Sequence, residues 1–401
     1  MRVRAFLSII LLLDALVLVL QIDKLSISYD EAHLFFDGSG FSRYLANLST
    51  AIFAQNDYAL RVPTIILHLF SAILLYLNSK NYLKEQKHRV YLVLFFILTP
   101  GVISSAILLS SAGFVIFALL FLVYIYQNFK PKYFYGLLFI YAFLEPSFAI
   151  LYMGTLIYAL VKRDRFLSIY SFVLFFISIY IYGIDMHGVP KGYFLDSLGL
   201  YAAIFTPVLF VYMIYVLYRK FLTKDTDLVW YIATVAFVVS LVLSFRQRAP
   251  LELFAPYLIV AFLPMAQALE HSYRVRLKMF RKRYKTLFVV LAMFLALNSL
   301  VVFLNEYLYL VIKEPRKHFA HKMHIAKPLA NELKKNGINC VDTEYKLSRR
   351  LEFYGIGECR DYKLSSSVKS DESYINVTIS YKNREIYSAY VTKVNTYQDI
   401  N

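Results

Sequence analysis

Asp30 and Glu31 stand side by side just beyond the first long apolar run, with Tyr29 and His33 flanking them. A carboxylate at a low-dielectric boundary can act as a general base, taking a proton from a hydroxyl or an amine that it reaches. The same two acids would also suit a solvated loop or the first turn of a helix, where negative charge is favoured. By spacing alone the second reading is the stronger. Asp14, in the middle of the first apolar run, and His68, in the second, are ionisable groups at membrane depth. Such groups are costly there and mark either function or a pairing between neighbouring helices. No group of Cys, His, Asp and Glu has the spacing of metal ligands, so no metal site is assigned.

The elements that must position these residues are membrane spans. The chain has 401 residues, of which 59% are hydrophobic and only 17% charged, against about a quarter charged in ordinary soluble domains. Its apolar residues fall in nearly charge-free runs, each approaching the ~20 residues that cross a bilayer as helix. The reading is a polytopic α-helical membrane protein. Disordered, disulfide-scaffold, collagenous and soluble nucleic-acid-binding classes are excluded. Residues 1–22 begin with Arg2 and Arg4 and lack a small-residue cleavage site, so they read as a retained first span rather than a signal peptide. Further runs fall near 61–77, 90–107, 112–128, 133–145, 147–162, 166–184, 199–218, 228–245, 250–269 and 287–307. That makes about eleven spans.

The net charge of +16 (43 Lys and Arg against 27 Asp and Glu) is distributed by topology. Alternate loops carry Lys80, Lys84, Lys87 and Arg89, then Lys130 and Lys132, then Lys162, Arg163 and Arg165, and a dense group from Arg274 to Lys285. The other loops hold only Lys24, Arg43, Arg61, Lys191, Arg246 and Arg248. Basic residues stay on the cytoplasmic side, which predicts a cytoplasmic N-terminus. The membrane domain is predicted over 1–307. Its first outer loop, 23–60, contains an amphipathic stretch, SRYLANLSTAIFAQ, that suits a helix lying in the interface. The polar segment 308–401 is predicted to be an outer α/β domain. Within it KPLANELKKNG reads as a helix ended by Gly337, while INCVDTEY, SYINVTISY and IYSAYVTKV read as strands. Cys340 and Cys359, the chain's two cysteines, both fall in this domain. On the outer side they would form one disulfide.

The segment SYDEAHLFF, the interfacial helix after it, and NDYALRVPTIILHLFSAILLYL together resemble the start of the GT-C membrane glycosyltransferases. The protein O-mannosyltransferase and lipid A aminoarabinose transferase branch is the most similar. In that family an acidic pair follows the first span, here Asp30–Glu31, and an Arg–hydrophobic–Pro triplet opens the second, here Arg61–Val62–Pro63. The likeness covers about residues 1–80, and beyond them chiefly the rhythm of short spans agrees. Two departures stand out. Ser110–Ser111–Ala112–Gly113 occupies the place of a second acid at the fourth span, and a His–Pro–Pro stretch in the first loop is missing.

The resemblance implies inverting transfer of a sugar from a polyprenyl-phosphate donor to a glycolipid, lipopolysaccharide or protein acceptor. Asp30 would be the base, with Glu31 orienting it. Tyr29, His33 and Glu145 are candidate substrate contacts, Glu145 as a stand-in for the missing acid or else as a solvated turn acid. The leaving phosphate needs cations. Arg246 and Arg248 are the first choice, followed by Arg61 and Lys191, although an outer arginine also snorkels to lipid headgroups. No cofactor is required, and a divalent metal is left open. The expected partners are the lipid-linked donor, the acceptor and membrane lipids, with no nucleic acid. A bacterial inner membrane is expected, with the C-terminal domain periplasmic. A transporter or flippase of lipid-linked saccharides and a catalytically silent member are the rival readings. The near absence of charge in the spans and of an internal repeat argues against a transporter.

Overall fold

A computed structural model describes residues 2–183, 192–365, 374–382 and 384–393. Contacts divide the chain into two units. One comprises Met1–Leu18, Ser39–Tyr44 and Thr64–Leu300; the other comprises Val19–Gly38, Leu45–Pro63 and Val301–Asn401.

The first unit is helical, and its helices coincide with the predicted apolar runs. α1 (Arg2–Ile22) leaves Leu12, Leu13, Leu16 and Leu20 exposed, as a lipid-facing surface requires. α2 (Tyr29–Phe36) and α3 (Phe41–Phe53) form the first loop, and α4 (Asp57–Asn78) follows. On α3 Ser42, Ala46 and Thr50 are buried while Tyr44, Leu48 and Ile52 are exposed. An apolar stripe turned outward is the pattern of an interfacial helix. α5 (Gln86–Ile97) and α6 (Pro100–Ile107) meet at a bend of 65°, and α11 (Phe194–Phe205) and α12 (Pro207–Leu222) at one of 106°. In both pairs a proline opens the second helix. Proline has no N–H for the preceding turn and disfavours helical backbone in the residue before it. Between them lie α7 (Ser111–Asn128), α8 (Pro131–Tyr141), α9 (Phe148–Lys162) and α10 (Arg165–Tyr182). α13 (Leu228–Ser244), α14 (Leu251–Leu258), α15 (Phe262–Val275) and α16 (Lys278–Phe303) complete the series.

Among the described residues six helical stretches are long and apolar enough to cross a membrane, or eight if each bent pair is one span. α8, α9 and α13 are shorter helices of 11, 15 and 17 residues, which is where the prediction of about eleven spans and the observed lengths part. The chain is an integral membrane protein by these helices. Its core, built around Leu119, Phe148, Tyr152, Tyr201 and Phe262, satisfies buried phenols internally. Tyr141, Tyr152 and Tyr257 donate to the carbonyls of Ala118, Leu138 and Ser147 at 2.8, 2.8 and 2.7 Å. In hydrocarbon no water would take those bonds. Asp14 of α1 and His68 of α4 pair at 2.8 Å, joining two helices at membrane depth.

The second unit contains α17 (Ala326–Lys335), α18 (Tyr345–Phe353) and an antiparallel sheet of β1 (Tyr362–Ser365), β2 (Tyr374–Tyr381) and β3 (Arg384–Lys393), in the order β1-β3-β2. Leu329 and Leu333 of α17 pack with Leu351, Val377, Ala389 and Val391. Gly337, just past α17, has φ of +73°, the left-handed ending that favours glycine. Residues 340–342 contribute only isolated bridges, Cys340 to Gly357 and Asp342 to Lys363, rather than the predicted strand. Cys340 and Cys359 are joined in a disulfide with Cα atoms 5.4 Å apart.

The division differs from a boundary near residue 307. Segments 19–38 and 45–63 belong with the C-terminal residues because hydrogen bonds tie them there, Gln55 Nε2 donating to Phe353 O at 2.9 Å among them. Ser26 N–H donates to Met323 O at 2.6 Å, Lys327 N–H to Ser26 Oγ at 3.0 Å, and Arg350 Nε to Ile27 O at 2.9 Å.

Candidate active site

The turn from α1 into α2 is fixed by two interlocking devices. Ser28 caps α2, its Oγ accepting from Glu31 N–H at 3.1 Å while its own N–H donates to Glu31 Oε2 at 2.8 Å. This reciprocal box satisfies two backbone donors that a helix start otherwise leaves open. Arg61, in the second turn of α4, then clamps the same carboxylate. Its Nε and Nη2 each donate to a Glu31 oxygen at 3.1 Å, a two-pronged contact of the strong charge-assisted kind. Its remaining donors reach the carbonyls of Ile22, Leu25 and Ser26 at 3.2, 2.6 and 3.1 Å. Carbonyls at a helix C-terminus carry partial negative charge that a cation offsets. Arg61 and Glu31 are 0% and 1% exposed.

This arrangement corrects the reading of Arg61 as a phosphate-binding cation. A guanidinium has five N–H donors, and the five contacts above use them on the protein. Glu31 is likewise a buried anchor rather than a group that meets a substrate.

Asp30, one residue earlier, is exposed in the first turn of α2. Successive helical positions are about 100° apart around the axis, so the clamp that buries Glu31 turns Asp30 outward. Asp30 has no hydrogen-bond or ion-pair partner among the described residues. Around it the Tyr29 ring lies 5.9 Å from His33 and 6.4 Å from Tyr345, with Lys346 Nζ 5.4 Å above it. Tyr29, Asp30 and His33 therefore share a rim with α18. Residues that sequence reasoning missed hold that rim from behind. Tyr354 Oη accepts from Ile27 N–H at 2.8 Å and donates to Asp57 Oδ1 at 2.8 Å, and Lys327 Nζ pairs with Asp57 Oδ2 at 2.9 Å. Burial pushes the Arg350 guanidinium down from its usual range. No local motif marks Tyr354 or Arg350, since their partners lie some three hundred positions away (separations of 297 and 323).

Glu145 belongs to the helical unit, in the turn between α8 and α9. It is 1% exposed, so it is neither a solvated turn acid nor open to a substrate. Its Oε1 accepts from Ser42 N–H at 3.1 Å and from Ser42 Oγ at 3.0 Å, which supplies the N-terminus of α3 with a carboxylate from another segment. Gly40, at φ +102°, lets the backbone pass against that carboxylate, and a Cβ there would lie 2.6 Å from Oε2. At the position of the missing second acid, a Cβ on Gly113 would lie 2.8 Å from Ser105 O. α7 crosses there too closely to admit any side chain at that glycine.

Arg246 and Arg248 lie in the turn between α13 and α14, both exposed, and neither side chain makes a hydrogen bond or ion pair among the described residues. Lys191 lies outside the described residues. The one described trio of His, Cys, Asp or Glu atoms close enough to share a metal is Cys340, Cys359 and Asp361. There the sulfurs are bonded to each other, so no thiolate is left to bind an ion.

No protein-family model and no curated protein sequence matches the chain. The solved structures that match include two crystal structures of ArnT from Cupriavidus metallidurans, one in the apo state and one bound to undecaprenyl phosphate. The TM-scores are 0.58 and 0.56, and the identities 11% and 10%. The alignments cover 98% and 97% of this chain and 99% and 98% of theirs. The end-to-end correspondence shows that this chain has the fold of ArnT.

Proposed function

We propose that the protein is an inverting glycosyltransferase of the GT-C type, moving a sugar from a polyprenyl-phosphate donor to a glycolipid, lipopolysaccharide or protein acceptor outside the cytoplasm. The observation that carries this reading is Asp30: an exposed, unpartnered carboxylate on a first turn held rigid by the Glu31–Arg61 clamp. The undecaprenyl phosphate bound by the matched ArnT structure adds support for the donor class.

In this scheme the acceptor's O–H or N–H gives its proton to Asp30 as its O or N attacks the sugar's anomeric carbon. The bond from that carbon to the phosphate oxygen breaks on the opposite face, and the phosphate leaves with the electron pair. Arg246 and Arg248 neutralise the charge that develops on it, with Lys191 a further cation. Tyr29 and His33 line the acceptor's approach. Glu31 and Arg61 are positioning residues. The scheme needs no cofactor. The basic-loop pattern supports an extracytoplasmic location for this chemistry, which in this reading is the periplasmic side of a bacterial inner membrane.

The test is transfer of radiolabelled sugar from polyprenyl phosphate to an envelope extract by the purified full chain. Asp30→Asn keeps the size but cannot take the proton, and should lower the rate by about 10²–10⁴-fold with donor binding retained. Arg248→Ala should weaken donor binding, and Arg248→Lys should restore it only in part because the planar fork is lost. Undiminished transfer by Asp30→Asn removes Asp30 as the base. Normal donor binding by both Arg248 variants leaves that arginine to lipid headgroups.

A further inference from the structure

We infer that the second unit carries a saccharide-binding pocket built from residues 55–58, α17 and α18. The inference does not depend on the transferase reading. The pocket has a volume of about 450 Å³ and opens to solvent. Ligand pockets run from roughly 300 to 1,000 Å³, so it suits one or two sugar rings rather than a lipid or a folded partner.

Its floor is a finished structure. Asp57, 5% exposed, is held by Tyr354 Oη and by Lys327 Nζ. Lys327 also reaches Asp23 Oδ1 at 3.4 Å and Asp23 O at 3.5 Å, which accounts for its three donors. Tyr58 donates to the other oxygen of Asp23. These groups are spent on the protein and set a rigid polar base.

The walls are different. Asn331 and Lys334, on successive turns of α17, line the pocket and make no side-chain hydrogen bond among the described residues. Gln55 uses its amide N–H on Phe353 O at 2.9 Å and keeps its carbonyl oxygen. Glu352 gives Oε2 to Arg349 at 2.9 Å and keeps Oε1. Unspent donors and acceptors are thus both present in the lining.

Charge decides the ligand class. Lys327 is neutralised by Asp57 and Asp23, which leaves the Lys334 ammonium opposite Glu352. With those groups spent, an anion would still meet the Glu352 carboxylate, a metal ion would still meet the Lys334 ammonium, and an apolar ligand would strand the amides unpaired. A neutral polyhydroxylated molecule offers paired donors and acceptors to all of them. The Tyr58 and Tyr354 rings add an aromatic border against which the C–H faces of a sugar ring can pack.

The experiment is saturation-transfer NMR on the full chain in lipid nanodiscs, with methyl β-glucoside, methyl α-mannoside and N-acetylglucosamine as probes. At least one probe should receive saturation, and Asn331→Leu and Lys334→Leu should each weaken its binding about fivefold, the effect of one lost hydrogen bond. Both side chains are exposed and unpartnered, so the unfolding temperature should stay unchanged and a folding defect is separable. Lys335→Leu, whose lysine pairs with Glu332 instead, should bind as the parent does. Absence of saturation for all three probes overturns the inference. So does equal transfer in the Asn331→Leu and Lys334→Leu proteins, or an equal loss in Lys335→Leu.

Discussion

The two units are held together by different physics. In the helical unit the core is a continuous apolar cluster, and most buried polar groups there are phenols, hydroxyls and amides bonded to carbonyls within reach. Its buried acid Glu145 is matched by neutral donors, Ser42 N–H and Oγ. The second unit has a small apolar cluster and leans on charge and a covalent link: Glu31–Arg61, Asp57–Lys327, Asp37–Arg349 and the Cys340–Cys359 bridge. A small core buries too little surface to hold a domain alone, and small domains are commonly stapled. The helical unit has no covalent link, though it too carries a buried acid–imidazole pair, Asp14–His68. The comparison teaches that one buried carboxylate can be removed from this chain at little cost and another cannot.

The sharpest break is Arg61→Leu. It leaves the Glu31 carboxylate buried without its cation and strips three carbonyls of their donor, which should cost about 3–5 kcal/mol. Hydrogen–deuterium exchange should show protection lost over residues 19–38 and 301–365 and kept in α7, α9 and α13. Equal loss in both units would erase the contrast drawn above. Next comes the disulfide. Cys340 and Cys359 are 19 positions apart, and a closed loop of that size restricts the unfolded chain by ~3 kcal/mol in the entropic account. Replacing both with Ser should lower the unfolding temperature of the second unit alone. Alkylation of the unreduced protein should label neither cysteine, and two readily labelled thiols would show that the bridge does not form.

Acid should then separate the units further. Burial pushes His324 down to about 4, with the neighbouring His318 and His321 adding to it, and burial lowers His321 as well. The folded protein keeps the His324 ring neutral while the unfolded chain protonates it below its ordinary value near 6.5. Stability is therefore complete above that value, falls as pH drops toward about 4, and is flat below. The expected loss is on the order of 3 kcal/mol. Denaturant midpoints of the second unit at a series of pH values measure it. His324→Phe should flatten the curve, and an unaltered slope in that variant would assign the effect elsewhere. The smallest effect is expected from Glu145→Gln. The amide oxygen can still accept from Ser42, so the change should be about 1 kcal/mol or less. A loss as large as that of Arg61→Leu would put Glu145 beside Glu31 rather than opposite it.

The apolar runs, the alternation of basic loops and the lone pair of cysteines were legible in the amino-acid sequence because each is a local or statistical property. Hydrocarbon admits few charges over ~20 residues, and that constraint is written directly into composition. It was the likeness of SYDEAHLFF and the Arg61–Val62–Pro63 triplet to a known family, and not that constraint, that singled out Asp30–Glu31 as the pair to watch. Only the tertiary structure decided that Glu31 is the buried anchor and Asp30 the exposed acid, that Arg61 is spent on Glu31 and three carbonyls, and that Glu145 caps α3. Adjacent residues on a helix differ in direction, and which direction is buried depends on segments far along the chain. α18 closes over the first loop through Tyr354 and Arg350, and no spacing near residue 30 encodes its arrival. Charge type can be read in one dimension, but whether a charge is already paired depends on contacts made in three.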